Sequence, residues 1–98
     1  MRMIIIAHPT EQILIKIVNP FDEQALFNVT KVWYKDLYGT VAKLRAEYPE
    51  LQDISISGPE DYIFHIGETL NTMFEDNPIN INVMTATWEI EEDDPISE

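Results

Sequence analysis

Few side chains in this chain have the type and spacing that chemistry requires. It has no cysteine among 98 residues, which removes thiol nucleophiles, disulfides and Cys-based zinc sites together. The imidazoles are His8 and His65. His65 is the better placed for acid–base work, with Glu68 three residues on and Thr69 one helical turn on. It is expected to point away from the Ile63/Ile66/Leu70 stripe of a helix and to be exposed. No Ser nucleophile sits at a recognisable spacing, so His65 reads as a surface histidine. His8, in a turn before Pro9, reads the same way. Gly58-Pro59 opens a helix directly after a strand, a place where phosphates bind. Glu60 and Asp61 already put negative charge there, and the chain has no glycine-rich loop and no Gly-Lys-Ser/Thr motif. A self-capped helix, not a nucleotide site, is the expectation. Glu91-Glu92-Asp93-Asp94 offers oxygen ligands to a hard cation, but lacks the alternating spacing and turn glycine of an EF-hand loop. The sequence therefore points to no catalytic residue, no cofactor and no specific metal site.

What remains is charge. Eighteen acids against six bases give a net charge of −12. All six bases (Arg2, Lys16, Lys31, Lys35, Lys43 and Arg45) fall in residues 1–45, against four acids, which leaves that part at +2. Residues 46–98 hold fourteen acids and no base. Such acidity opposes direct binding to nucleic-acid phosphates or anionic lipid. The apolar run Ile4-Ile5-Ile6-Ala7 is too short for a signal-peptide core or a membrane span, so a cytoplasmic protein is expected.

The elements that must position these residues read as follows. A composition that is 45% hydrophobic and 24% charged predicts one folded domain. Its expected extent is residues 1–90, with an acidic flexible tail at 91–98. Met3–Ala7 and Ile13–Val18 are strands a hairpin loop apart. Residues 25–34 are rich in strand formers and read as a third strand after a loop at Asn19–Gln24. The alternative is one long helix from residue 20 to Tyr48, started by Asn19-Pro20. Leu37, Val41, Leu44 and Tyr48 form a helical stripe that Asp36 can cap and Pro49 ends. Asp53–Ser57 is a short strand. A second helix follows, with Ser57 or Gly58 as cap, Pro59 in its first turn, and Ile63, Ile66, Gly67, Leu70, Met73 and Phe74 as its buried stripe. Ile79, Ile81 and Val83 alternate as a strand. Met84, Ala86, Trp88 and Ile90 alternate one residue out of phase, which a bulge or break near Val83-Met84 would reconcile.

The expected architecture is thus a single α/β domain with a mixed sheet and two helices, in the order β-β-β-α-β-α-β. This order over residues 3–84 resembles the ribonuclease H-like fold. That resemblance implies metal-holding carboxylates on the first strand, on the first helix and at the end of the fourth strand. Here the first strand, Met3–Ala7, has no acid, and the fourth ends in Ser57-Gly58. Nuclease activity does not follow from the element order.

Three functional readings result. The favoured one is a non-enzymatic acidic binding protein that engages a basic protein surface, as a nucleic-acid mimic or inhibitor of a nucleic-acid-binding protein. Its expected contact residues are Glu60, Asp61, Phe64, Glu68, Glu75 and Asp76, with Glu91, Glu92, Asp93 and Asp94. Phe64 lies beside the buried stripe, so it offers an aromatic anchor within a charged rim. Most of the other aromatics, including Phe27, Trp33, Tyr34 and Tyr38, are expected in the core. The second reading is a small subunit of a homo-oligomer that pairs through residues 79–90. The third is a degenerate metal-dependent enzyme, which requires carboxylates such as Asp36, Glu47, Asp53 and Asp61 to converge.

Overall fold

The computed structural model describes residues 1–19 and 21–85. It has the element order expected: β1 (Arg2–Ile6), β2 (Ile13–Asn19), β3 (Asp22–Val32), α1 (Leu37–Glu47), β4 (Asp53–Gly58), α2 (Glu60–Met73) and β5 (Asn80–Thr85). The five strands form one mixed sheet in the spatial order β3-β2-β1-β4-β5. β1, β2 and β3 pair antiparallel as a meander, and β4 and β5 continue the sheet parallel to β1. Residues 86–98, which include the expected tail and the end of the expected domain, lie outside the described part.

The short loops after β1 and β2 favour hairpins, whereas the later helices provide the long connections that parallel strands need. The crossings from β3 to β4 through α1 and from β4 to β5 through α2 step the same way along the sheet. Two right-handed crossovers in one direction put their helices on one face. Burial agrees with this. Met3, Ile5, Ile13, Ile15, Ile17, Ile54 and Ile56 share a single core with Leu37, Val41 and Leu44 of α1 and with Ile63, Ile66 and Leu70 of α2. The register sets them in rows across the sheet, such as Ile15–Ile5–Ile56–Val83. At Gly67 the missing side chain lets α2 approach β5, since a Cβ there would sit 3.4 Å from Val83 Cγ1.

Several local expectations need correction. The long-helix alternative is excluded, because residues 22–32 are strand. The second hairpin is tighter than a loop over Asn19–Gln24: Asn19 and Asp22 already pair, and Asn19 Oδ1 accepts the Phe21 N–H at 2.9 Å. That Asx-type turn replaces the longer loop. β3 ends at Val32, and Tyr34–Asp36 forms a 3₁₀ turn that leads into α1. The turn holds Asp36 at φ −103°, ψ 2°, away from the extended geometry of a capping residue, and its side chain makes no cap hydrogen bond. Pro59 is the N-cap of α2, two positions later than Ser57 and one later than Gly58, because Gly58 still pairs in β4. Met73 is 38% exposed, since it lies in the final turn where α2 passes the edge of the core. The β4–β5 pairing runs unbroken through Ser57–Met84 and Gly58–Thr85, so no bulge occurs at Val83-Met84. Phe27 and Trp33 are about half exposed. β3 is an edge strand, Phe27 lies where its register against β2 shifts, and Trp33 stands beyond the last β2 partner, Ile13.

Candidate acidic interaction face

α2 positions the candidate residues. Its buried side chains are Ile63, Ile66, Gly67 and Leu70. At about 100° per residue, the outer arc carries Phe64, Glu68, Asp61 and His65 in that angular order, and Glu60, at the first position of the helix, borders it. All five are exposed. Phe64, 48% exposed, therefore stands between carboxylates one turn before and one turn after it. Phe64 and His65 are exposed, as their places off the buried stripe predict. Glu75 and Asp76 are also exposed but lie past the C-terminal end of the helix. At 1.5 Å per residue they are roughly 20 Å from Glu60 along the axis. The face is thus a strip along the outside of α2 and not a pocket. Glu91–Asp94 lie outside the described residues.

Electrostatics treats the two ends of this strip differently. Glu60 and Asp61 sit in the first turn, where the helix dipole favours negative charge. Glu75 and Asp76 follow the C-terminal end, where the dipole disfavours it, and the last turn of α2 has no basic residue. Arg45 of α1 offsets part of that cost. Its Nη1 donates to the Asn77 carbonyl at 2.6 Å, and its guanidinium stacks 4.6 Å from the centroid of the Phe74 ring. These contacts line a shallow groove, with Asp76 and Met73, between the C-terminal ends of the two helices. Arg45 is therefore spent on holding the α2–β5 turn, and the outer strip keeps its negative sign.

A tyrosine trio fixes the other end. Tyr34 packs against Tyr38 and Tyr62 with both pairs of ring centroids 5.7 Å apart. The Tyr34 and Tyr38 hydroxyls are 3.2 Å apart. The trio ties the entry of α1 to the first turn of α2 and so orients Glu60 and Asp61. Burial, reinforced by the hydrogen bond with Tyr34, pushes the Tyr38 phenol up to about 12, and burial also raises Tyr62. The folded protein then holds these protons more tightly than the unfolded chain, in which phenols titrate near 10. The resulting stability is fully present below about pH 10 and is lost as pH rises towards 12. Spectrophotometric titration should show a late-ionising phenol that Tyr38→Phe removes. Loss of no late component in that variant would contradict the assignment.

Among the described residues, no group of three or more His, Cys, Asp and Glu side chains is arranged to hold a metal ion. Asp36, Glu47, Asp53 and Asp61 therefore do not converge, which the enzyme reading required. His65 contributes its backbone carbonyl to the Thr69 hydroxyl at 3.0 Å. His8 Nδ1 lies 3.2 Å from the Thr10 amide in the turn after β1, where that amide can donate to it. Among the described residues, no helix is long and apolar enough to cross a membrane.

No protein-family model matches the chain, and neither a curated protein nor a solved structure matches it. Function must be argued from this surface itself.

Sequence reasoning missed one surface. Because both helices cover the same side, the other side of the sheet has no helical layer among the described residues. It carries Arg2, Ile4, Ile6, Leu14 and Lys16, with Val29 and Lys31 paired beside them. The signal was present in Ile13–Val18, which apart from Lys16 is apolar on both faces, but such a run also reads as a strand covered twice.

Proposed function

We propose that the chain is a non-enzymatic acidic binding protein whose α2 face engages a basic protein surface. The observation that supports this reading most is the exposed strip Glu60, Asp61, Phe64 and Glu68 on a helix with no Lys or Arg, continued by Glu75 and Asp76. Negative charge past the C-terminus of α2 works against helix stability, so folding alone gives no reason for it. A basic partner gains from it instead. Phe64 supplies the apolar anchor, and the carboxylates supply orientation and a fast encounter. A surface that recognises nucleic-acid phosphates is the basic partner such a strip suits, and the chain would occupy it as a phosphate mimic.

The test is affinity capture from native lysate at low salt, with elution by a salt gradient. Captured proteins should be basic, should elute early in the gradient, and should be displaced by added DNA or RNA. Recovery of neutral or acidic partners alone, or binding that ignores salt, would sink the proposal.

A further inference from the structure

We infer that the uncovered face of the sheet is the docking surface for the chain's own residues 86–98. This concerns the side opposite α2 and does not rest on the acidic-strip reading. The face divides into two halves. Its β1–β3 half is apolar with a basic fringe: Ile4, Ile6, Leu14, Leu26 and Val29, beside Arg2, Lys16 and Lys31. Its β4–β5 half is mostly polar, with Asp53, Ser55, Ser57, Asn80 and Asn82, and ends in the exposed Met84. Val18, paired with both Arg2 and Leu26, is fully buried yet lies outside the helix-side core. Ile4, Ile6 and Leu14 are only half-buried, and Val29 is 52% exposed.

Size and charge decide the occupant. Three strands about 4.8 Å apart, crossed by two or three rows of side chains, present on the order of 200 Å². A stable dimer buries about 800 Å² on each partner, and a second copy would bring Lys16 and Lys31 against their own duplicates. A single acidic segment with apolar anchors fits both constraints. Residues 86–98 have that chemistry: six acids and no base, with Trp88, Ile90 and Ile96. Reach is sufficient. β5 ends in the row Met84–Ser57–Ile6–Leu14–Lys31. Crossing that row to β3 takes roughly 19 Å, while thirteen residues span up to about 43 Å. Tethering also matters, because an attached segment experiences an effective concentration in the millimolar range. A free acidic peptide would meet a chain of net charge −12 without that advantage.

The full-length Trp33→Phe variant tests this, because it leaves Trp88 as the one tryptophan. Its emission should be blue-shifted from that of a synthetic peptide of residues 86–98, and unchanged over a hundredfold dilution. Adding Lys16→Glu and Lys31→Glu should return it towards the peptide value while circular dichroism shows an intact fold. Should that variant unfold, zero-length carbodiimide cross-linking of the Trp33→Phe protein decides. Intramolecular links from Lys16 or Lys31 to Glu89–Asp94 support the inference, and their absence overturns it. Emission equal to that of the free peptide overturns it. So does a blue shift lost on dilution, which would mean a second copy, or one that ignores charge reversal in the folded protein.

Discussion

Replacing Gly58 by alanine is expected to destabilise the fold by about 3 kcal/mol or more. Two independent costs meet there. Gly58 has φ +152°, a conformation that L residues rarely adopt. A Cβ on it would also lie 2.8 Å from the Ala7 carbonyl oxygen and 3.0 Å from Ile63 Cγ2. The carbonyl cannot easily retreat, because the Ala7 amide is itself bonded to the Ser57 carbonyl at 2.8 Å. For a domain of this size, 3 kcal/mol corresponds to a fall in Tm of roughly 12–24 °C. The urea midpoint should drop with an unchanged slope. The consequence reaches the binding face, because Gly58 sets the angle at which β4 passes into α2 and hence where Glu60 and Asp61 stand. A variant within 1 kcal/mol of the parent would show that this corner is not constrained as described.

The second large effect is expected at Ile5. It is fully buried in the central strand, between Ile15 and Ile56 in one row and beneath the helices. Ile5→Ala should cost about 2–5 kcal/mol through lost burial and the cavity it leaves. Its neighbour Ile4 points to the other face and is only half-buried. A side chain so placed has less to lose, so Ile4→Ala should cost roughly 1 kcal/mol. Equal losses at the two positions would mean that the segment inferred to dock on the Ile4 face covers it as fully as the helices cover Ile5. Chemical denaturation of the two variants measures the difference directly.

The element order was legible because its strongest signals are local. The Leu37/Val41/Leu44 stripe and the Ile63/Ile66/Leu70 stripe follow helical spacing, and both are buried as that spacing requires. Phe64 was legible for the same reason, one step off the stripe. The start of β3 was not, because a single hydrogen bond from the Phe21 amide to the Asn19 side chain shortens the hairpin. Nor was the exposure of Phe27 and Trp33, since it depends on β3 being the sheet edge. The open face is the clearest case. Ile4, Ile6 and Leu14 sit in runs that look like core, and only the topology shows which side the helices take.

The charge separation acquires a direction from this arrangement. Three of the six bases, Arg2, Lys16 and Lys31, lie on the sheet side away from the helices. Arg45 braces the α2–β5 turn. The acids Glu60, Asp61 and Glu68 face outward from the helical layer. A net charge alone would account for solubility. An acidic strip with an aromatic residue in it, on the side of the sheet opposite to Arg2, Lys16 and Lys31, supports the contact surface proposed above.

The most direct measurement compares the parent chain with a Glu60→Lys/Asp61→Lys/Glu68→Lys variant as baits for capture from native lysate across a salt gradient. All three positions are exposed, so circular dichroism should show an intact fold, although reversing charge in the first turn of α2 lowers its stability somewhat. The parent should retain basic proteins that nucleic acid displaces, and the variant should lose at least tenfold of that retention at low salt. Equal retention of the same proteins by both baits would contradict the assignment of the α2 face as the binding surface.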